Sequence, residues 1–172
     1  ALEENGPGWP NPPWSNLLFR KLMENSQFRN QFINQFADEF NGRFKADSVT
    51  QHINAIASRM GPEMERHFER WGDGKTIDVW QSAVIALRNF GDNRLPPLRG
   101  YIRNYFGIGG MYQLNIAINN TTAGAVELNS LQLTDTSWQG EYFDNIPVSL
   151  TAVPNEGYVF SHWQGDIDNL NN

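Results

Sequence analysis

Two rhythms of apolar and polar positions divide this chain, and the change between them falls near Phe106 to Gly110. Before that point apolar residues recur every three or four positions, the spacing of one helix face. Trp14, Leu17, Leu18 and Leu22 share a face of a first helix, which Asn11 and Pro12 are suited to start. Asn25-Ser26 breaks the run, with Ser26 the expected cap of the next helix. In that second helix Phe28, Phe32, Phe36 and Phe40 recur every four residues, beside Ile33 and Ala37. Each ring releases roughly 1.5–3 kcal/mol on full burial, so the stripe reads as a core seam rather than a ligand groove. Asn41-Gly42 closes the helix. A third helix is expected from near Asp47, with Val49, Ile53, Ile56, Ala57 and Met60 inside and Gly61 at its end. Pro62 then opens a short fourth helix carrying Met64, Phe68 and Trp71. Thr76 or Asp78 caps a fifth, with Trp80, Ala83, Val84, Leu87 and Phe90 inside, stopped by Gly91-Asp92-Asn93. Pro96-Pro97 opens a sixth bearing Leu98, Tyr101, Ile102, Tyr105 and Phe106.

After Gly109-Gly110 the period becomes two. Tyr112, Leu114, Ile116 and Ile118 alternate with Gln113, Asn115, Ala117 and Asn119, the pattern of a strand with one face buried. Asn119 to Gly124 is rich in turn formers, and Ala125 to Leu128 reads as the return strand. Leu131 and Leu133 extend or follow it. Further strands are expected at Trp138–Phe143, Val148–Val153 and Tyr158–Trp163, with a turn at Pro154–Gly157. The expected fold class is α+β: an N-terminal all-α helical bundle lobe followed by a small, mostly antiparallel β domain. The expected boundaries are an extended, proline-rich lead-in over 1–13, the helical lobe over 14–107 and the β domain over 108–172. The polar tail from Asp166 reads as loose.

Bulk properties narrow the partners. With 172 residues, 40% hydrophobic and 13% aromatic, the chain can pack a core. A formal net charge of -6 without a basic stripe argues against nucleic acid. There are no cysteines, which excludes disulfides and thiolate metal sites. No apolar run approaches the ~20 residues that span a bilayer. The start is acidic and Pro/Gly-rich, so it does not read as a signal peptide. Ala-Leu-Glu-Glu without Met reads as a cut or processed end. No internal repeat is visible.

No stretch carries a recognisable catalytic constellation. Gly107-Ile108-Gly109-Gly110 is not followed by Lys-Ser/Thr or by a helix, so it reads as a linker rather than a phosphate cradle. His52, His67 and His162 lie far apart, without the HExxH spacing of a metalloprotease. Glu63, Glu65 and Glu69 share a short helix with Arg66 and Arg70, and intrahelical ion pairing accounts for them better than paired-carboxylate glycoside chemistry. Asp166 and Asp168 lack the downstream Glu of a calcium loop. The metal expectation is therefore none, and no catalytic residue is assigned. The binding candidates are Trp138 and Tyr142, as a platform for a glycan or another protein. Trp163 reads as core.

Two resemblances add to this. NPPWSNLLFRKLMENSQFRNQFINQFADEFNGRF, followed by Gly61-Pro62-Glu63-Met64 and HFERWG, resembles the C-terminal part of the spore coat protein CotH kinase-like family, over roughly Asn11 to Phe106. Members of that family are secreted or surface-associated bacterial proteins, some of them atypical protein kinases. Their nucleotide- and metal-binding acidic segments precede the matching stretch, and nothing in Ala1 to Asn11 matches them. PVSLTAVPNEGYVFSHWQGD, Pro147 to Asp166, is similar to a bacterial surface repeat of the internalin B-repeat type. A copy of that repeat ends with one more strand, so this unit is expected to be an incomplete, grasp-like one with an open sheet edge.

The resemblances imply a non-catalytic C-terminal fragment of a secreted or surface protein. The helices would support an absent upstream kinase-like core of the parent, and the β unit would act as a spacer or adhesion module. ATP and a divalent metal would belong to the full-length parent, not to this piece. An exposed apolar patch and self-association are the expected consequences. The competing reading is a free-standing carbohydrate- or protein-binding module.

Overall fold

The computed structural model describes residues 16–72 and 74–165. Among these residues four helices precede five short strands, an α+β arrangement. The helices are α1 (Leu17–Glu24), α2 (Ser26–Asn41), α3 (Ala46–Trp71) and α4 (Ile77–Phe106). The strands are β1 (Met111–Ala117), β2 (Gly124–Leu128), β3 (Leu131–Leu133), β4 (Ser137–Phe143) and β5 (Leu150–Pro154). Two compact units are present, and they do not follow the division between helices and strands. One holds the described residues up to Asp38 together with those from Gly110 onward; the other is Glu39–Gly109.

The Glu39–Gly109 unit is dominated by α3 and α4, paired as an antiparallel hairpin. Gly61 faces Trp80 and Val49 faces Gly91, so the sequence distances run in opposite directions along the two helices. Thr50 Oγ1 donates to Asp92 Oδ1 at 3.3 Å and Arg88 Nε to Asn54 Oδ1 at 2.8 Å, along one side of the seam. Six helices are expected from the breakers, but in the hairpin Gly61-Pro62 lies inside α3, and Gly91 and Pro96-Pro97 lie inside α4. The glycines serve the packing. A Cβ on Gly91 would stand 2.7 Å from Val49 Cγ1, so only glycine lets the helices approach there. Gly107, at φ 66°, ends α4, and the Ile108 amide closes back on the Arg103 carbonyl at 2.9 Å. The glycine run after it thus begins as a helix stop.

In the other unit, Asn25 rather than Ser26 caps α2: its Oδ1 accepts from the Phe28 amide at 3.0 Å. The α2 stripe is buried at Ile33 and Ala37. Phe32 and Phe36 meet edge-on at 5.1 Å, and Phe19 of α1 packs on Phe32 at 5.3 Å. Leu17, Leu18 and Leu22 of α1 stay exposed. The strands form two antiparallel sheets, β1-β4 and β3-β2-β5. Leu114 and Ile116 turn inward and Gln113 and Asn115 outward, as the alternation requires. The return strand for β1 is β4, not β2: Met111 pairs with Phe143 and Ala117 with Ser137. The turn at Asn120–Ala123 instead sends β2 to β5, where the Asn155 amide reaches the Ala123 carbonyl at 2.8 Å. The expected strand at Tyr158–Trp163 is not formed. Gly157 at φ 86° turns the chain, and the segment joins no ladder. Leu128, Leu133, Tyr142 and Phe143 are buried in this unit.

Candidate functional site

Tyr142 is completely buried, so its ring has no face to offer a ligand. Trp138 is half-buried, with its ring 6.2 Å from that of Tyr142. The two candidates are neighbours on β4, but Tyr142 looks inward for a reason that periodicity does not reveal. Its Oη donates to Asp38 Oδ1 at 2.6 Å. Asp38 lies on α2 and is 1% exposed.

The rest of the Asp38 site is built by the turn between β2 and β3. Asn129 adopts φ 49°, a left-handed conformation that Asn tolerates. That turn aims the Ser130 amide and hydroxyl at Asp38 Oδ2, at 3.0 and 2.5 Å. Asn129 Nδ2 reaches Asp38 Oδ1 at 3.2 Å, while Asn129 Oδ1 accepts from the Ser149 amide at 2.8 Å. One turn earlier on α2, buried Asn34 donates to the Pro147 carbonyl at 2.8 Å. Among the described residues no Lys or Arg pairs with Asp38. Its two oxygens are satisfied by neutral donors alone, as a buried carboxyl group must find hydrogen-bond partners.

A groove of about 610 Å³ opens elsewhere in the same unit. Small residues such as Ala123, Gly124, Ala125 and Ala152 leave the space. Tyr158, Phe160 and Trp163 bring rings to it, and Asn119 and Gln164 bring amides. Phe160 and Trp163 meet in a tilted contact, with ring centroids 4.9 Å apart. No Asp, Glu, Lys or Arg is among the described residues that line it.

The hairpin unit carries an apolar face. On α4, Val79, Leu87, Phe90 and Tyr101 are exposed, and at about 100° per residue they fall in a sector roughly 80° wide. On α3, Ile56, Met60 and Trp71 are exposed in a similar stripe. Both stripes are displaced from the seam in the same rotational sense, which in antiparallel helices puts them on one side. The Thr50–Asp92 and Asn54–Arg88 bonds occupy the opposite side. Phe90 is 60% exposed and Trp71 64%. Arg94 and Arg70 lie over these two rings at 5.5 and 4.8 Å.

The remaining titratable candidates stay dispersed. Among the described residues no three His, Asp or Glu side chains gather as a metal site. His52 is exposed, His67 lies 5.5 Å from the Phe68 ring, and His162 Nδ1 is 2.9 Å from Ser161 Oγ. Glu63 pairs with Arg66 at 3.2 Å, the intrahelical bridge that the spacing predicts. Asp166 and Asp168 lie outside the described residues. Tyr112 on β1 titrates above its ordinary value, first because burial disfavours the phenolate and second because Asp144 is nearby.

A helical region followed by a small antiparallel sheet region defines the class of this chain. A family model described as CotH kinase protein matches residues 1–98, more than half of the sequence, and the chain belongs to that family. A second model, described as a divergent InlB B-repeat domain, matches residues 114–172. No curated protein and no solved structure gives a significant match. Both matched families are consistent with a surface or extracellular protein. No helix among the described residues is long and apolar enough to cross a membrane.

Proposed function

We propose that this chain is a non-catalytic part of a secreted or surface CotH-type protein, in which the helices support a kinase-like core lying upstream. In this reading the repeat is a spacer or adhesion module, and ATP and a divalent metal belong to the core rather than to this chain. The observation that supports it is the apolar face on one side of the α3–α4 hairpin, where Trp71, Phe90 and Tyr101 are each more than half exposed. Contiguous exposed apolar surface marks an interaction site. Light scattering on the purified chain tests the reading. Concentration-dependent association is expected, and Leu87→Lys with Phe90→Asp abolishes it without lowering the melting temperature. A monomer at every concentration, or measurable ATP affinity of this chain, overturns it.

A second reading is favoured by the groove beside Trp163. Its rings and amides, with no fixed charge among its described lining, suit a neutral saccharide, which stacks on aromatic faces and hydrogen-bonds to amides. Titration with chitotriose, monitored by tryptophan fluorescence, is expected to saturate and to weaken in Gln164→Ala. No response, or an equal response to an anionic heparin fragment, removes this reading.

A further inference from the structure

We infer that the repeat is an intramolecular clamp on α2, so that α2 and the β-strands fold and open together although they lie in two different family matches. The CotH match covers residues 1–98 and the repeat match 114–172, yet α2 up to Asp38 belongs to the compact unit of the strands. The site that joins them is specific for a carboxylate. Asp38 accepts four hydrogen bonds, two on each oxygen, from Asn129, Ser130 and Tyr142.

Two of those donors have no alternative role. The Ser130 amide only donates. Asn129 cannot turn its amide around without losing the 2.8 Å bond that its Oδ1 accepts from the Ser149 amide. An amide at position 38 would therefore set an N–H against an N–H on one side or the other. Asn34 adds a second register point four residues away on the same face, through the Pro147 carbonyl. Separation of helix from strands would leave a carboxylate on one side and a ring of donors on the other, each fitted to the other rather than to apolar surface. The repeat is thus held to the CotH-family region by a keyed contact, not by a tether alone.

Hydrogen exchange on the full chain tests this. Asp38→Asn is expected to lower protection in α2 over Ser26–Asp38 and in β2, β3 and β5 by a common factor, roughly tenfold to a hundredfold. The middle of α4 around Val84 is expected to exchange as before. Tyr142→Phe keeps the ring and removes one donor, so it gives the same pattern with a smaller loss, and it decides the matter where Asp38→Asn does not fold. Loss of protection in α2 while the three strands keep their wild-type rates in both variants would overturn the clamp. Unchanged rates in both elements would do the same.

Discussion

Tyr112 shows how one side chain reports the packing around it. It faces inward on β1, its ring is 6.4 Å from that of Tyr142, and burial followed by the Asp144 charge raises its pKa above 10.0. A raised folded value means that the unfolded chain releases this proton first. The corresponding stability is present in full below about pH 10 and is lost as pH rises through the folded value. Ultraviolet titration should show a late step of tyrosinate formation that is lost in Tyr112→Phe. Asp144→Asn should move it only part of the way back, because burial is the larger cause. A late step that Tyr112→Phe leaves unchanged would show that Tyr112 is solvated. Asp144 is legible in the sequence only as a polar residue after a strand. Asp38 is equally inconspicuous, one acid in an amphipathic helix. The available sign was its company: Asn34, Asp38 and Asn41 are short polar side chains at helical spacing beside the phenylalanine stripe, and all three are buried. Periodicity registers such residues as outward because it weighs polarity and not the donors waiting on another element.

Among the elements, the α3–α4 hairpin separates two uses of glycine that look alike in sequence. Gly91 and Gly100 both sit within α4. A Cβ at Gly100 would meet nothing within 4 Å, so Gly100→Ala should stabilise by about 1 kcal/mol through helix propensity alone. A Cβ at Gly91 would press on Val49 Cγ1, and Val is stiff at χ1. Overpacking of this kind costs about 1–3 kcal/mol, which offsets the propensity gain or exceeds it. Gly91→Ala should therefore lower the melting temperature, Gly100→Ala raise it, and Val49→Ala restore part of the loss in the Gly91→Ala background. If both alanines stabilise equally, the seam is not closed at Gly91. The same contrast explains what was readable. The change of period near Phe106, the apolar stripes of all four helices and the alternation along β1 follow from local spacing. The joining of six expected helices into four does not, because a glycine between two apolar runs reads as a stop unless the partner helix is known. The pairing of β1 with β4 and the unpaired course of Tyr158–Trp163 likewise depend on contacts distant in sequence.

For the molecule as a whole, the physical origin of the expected association decides what it means. The formal net charge is -6, so copies of the chain repel one another. Association through Val79, Leu87, Phe90 and Ile56 must overcome that repulsion with apolar burial, at roughly 25 cal/mol per Å². Two signatures follow. Raising the salt concentration should strengthen association, because it screens the repulsion and leaves the apolar term intact. Cooling should weaken it, because apolar burial loses driving force at low temperature. Arg70 and Arg94, which lie over Trp71 and Phe90, introduce a competing possibility in which cation–π or ionic contacts join the copies. Those contacts have the opposite salt response. Dissociation on adding salt would therefore assign the interface to the arginines and remove the apolar face as the support for an upstream core. Association that tightens with salt and is lost in Leu87→Lys would identify that apolar face as the surface through which copies of the chain associate.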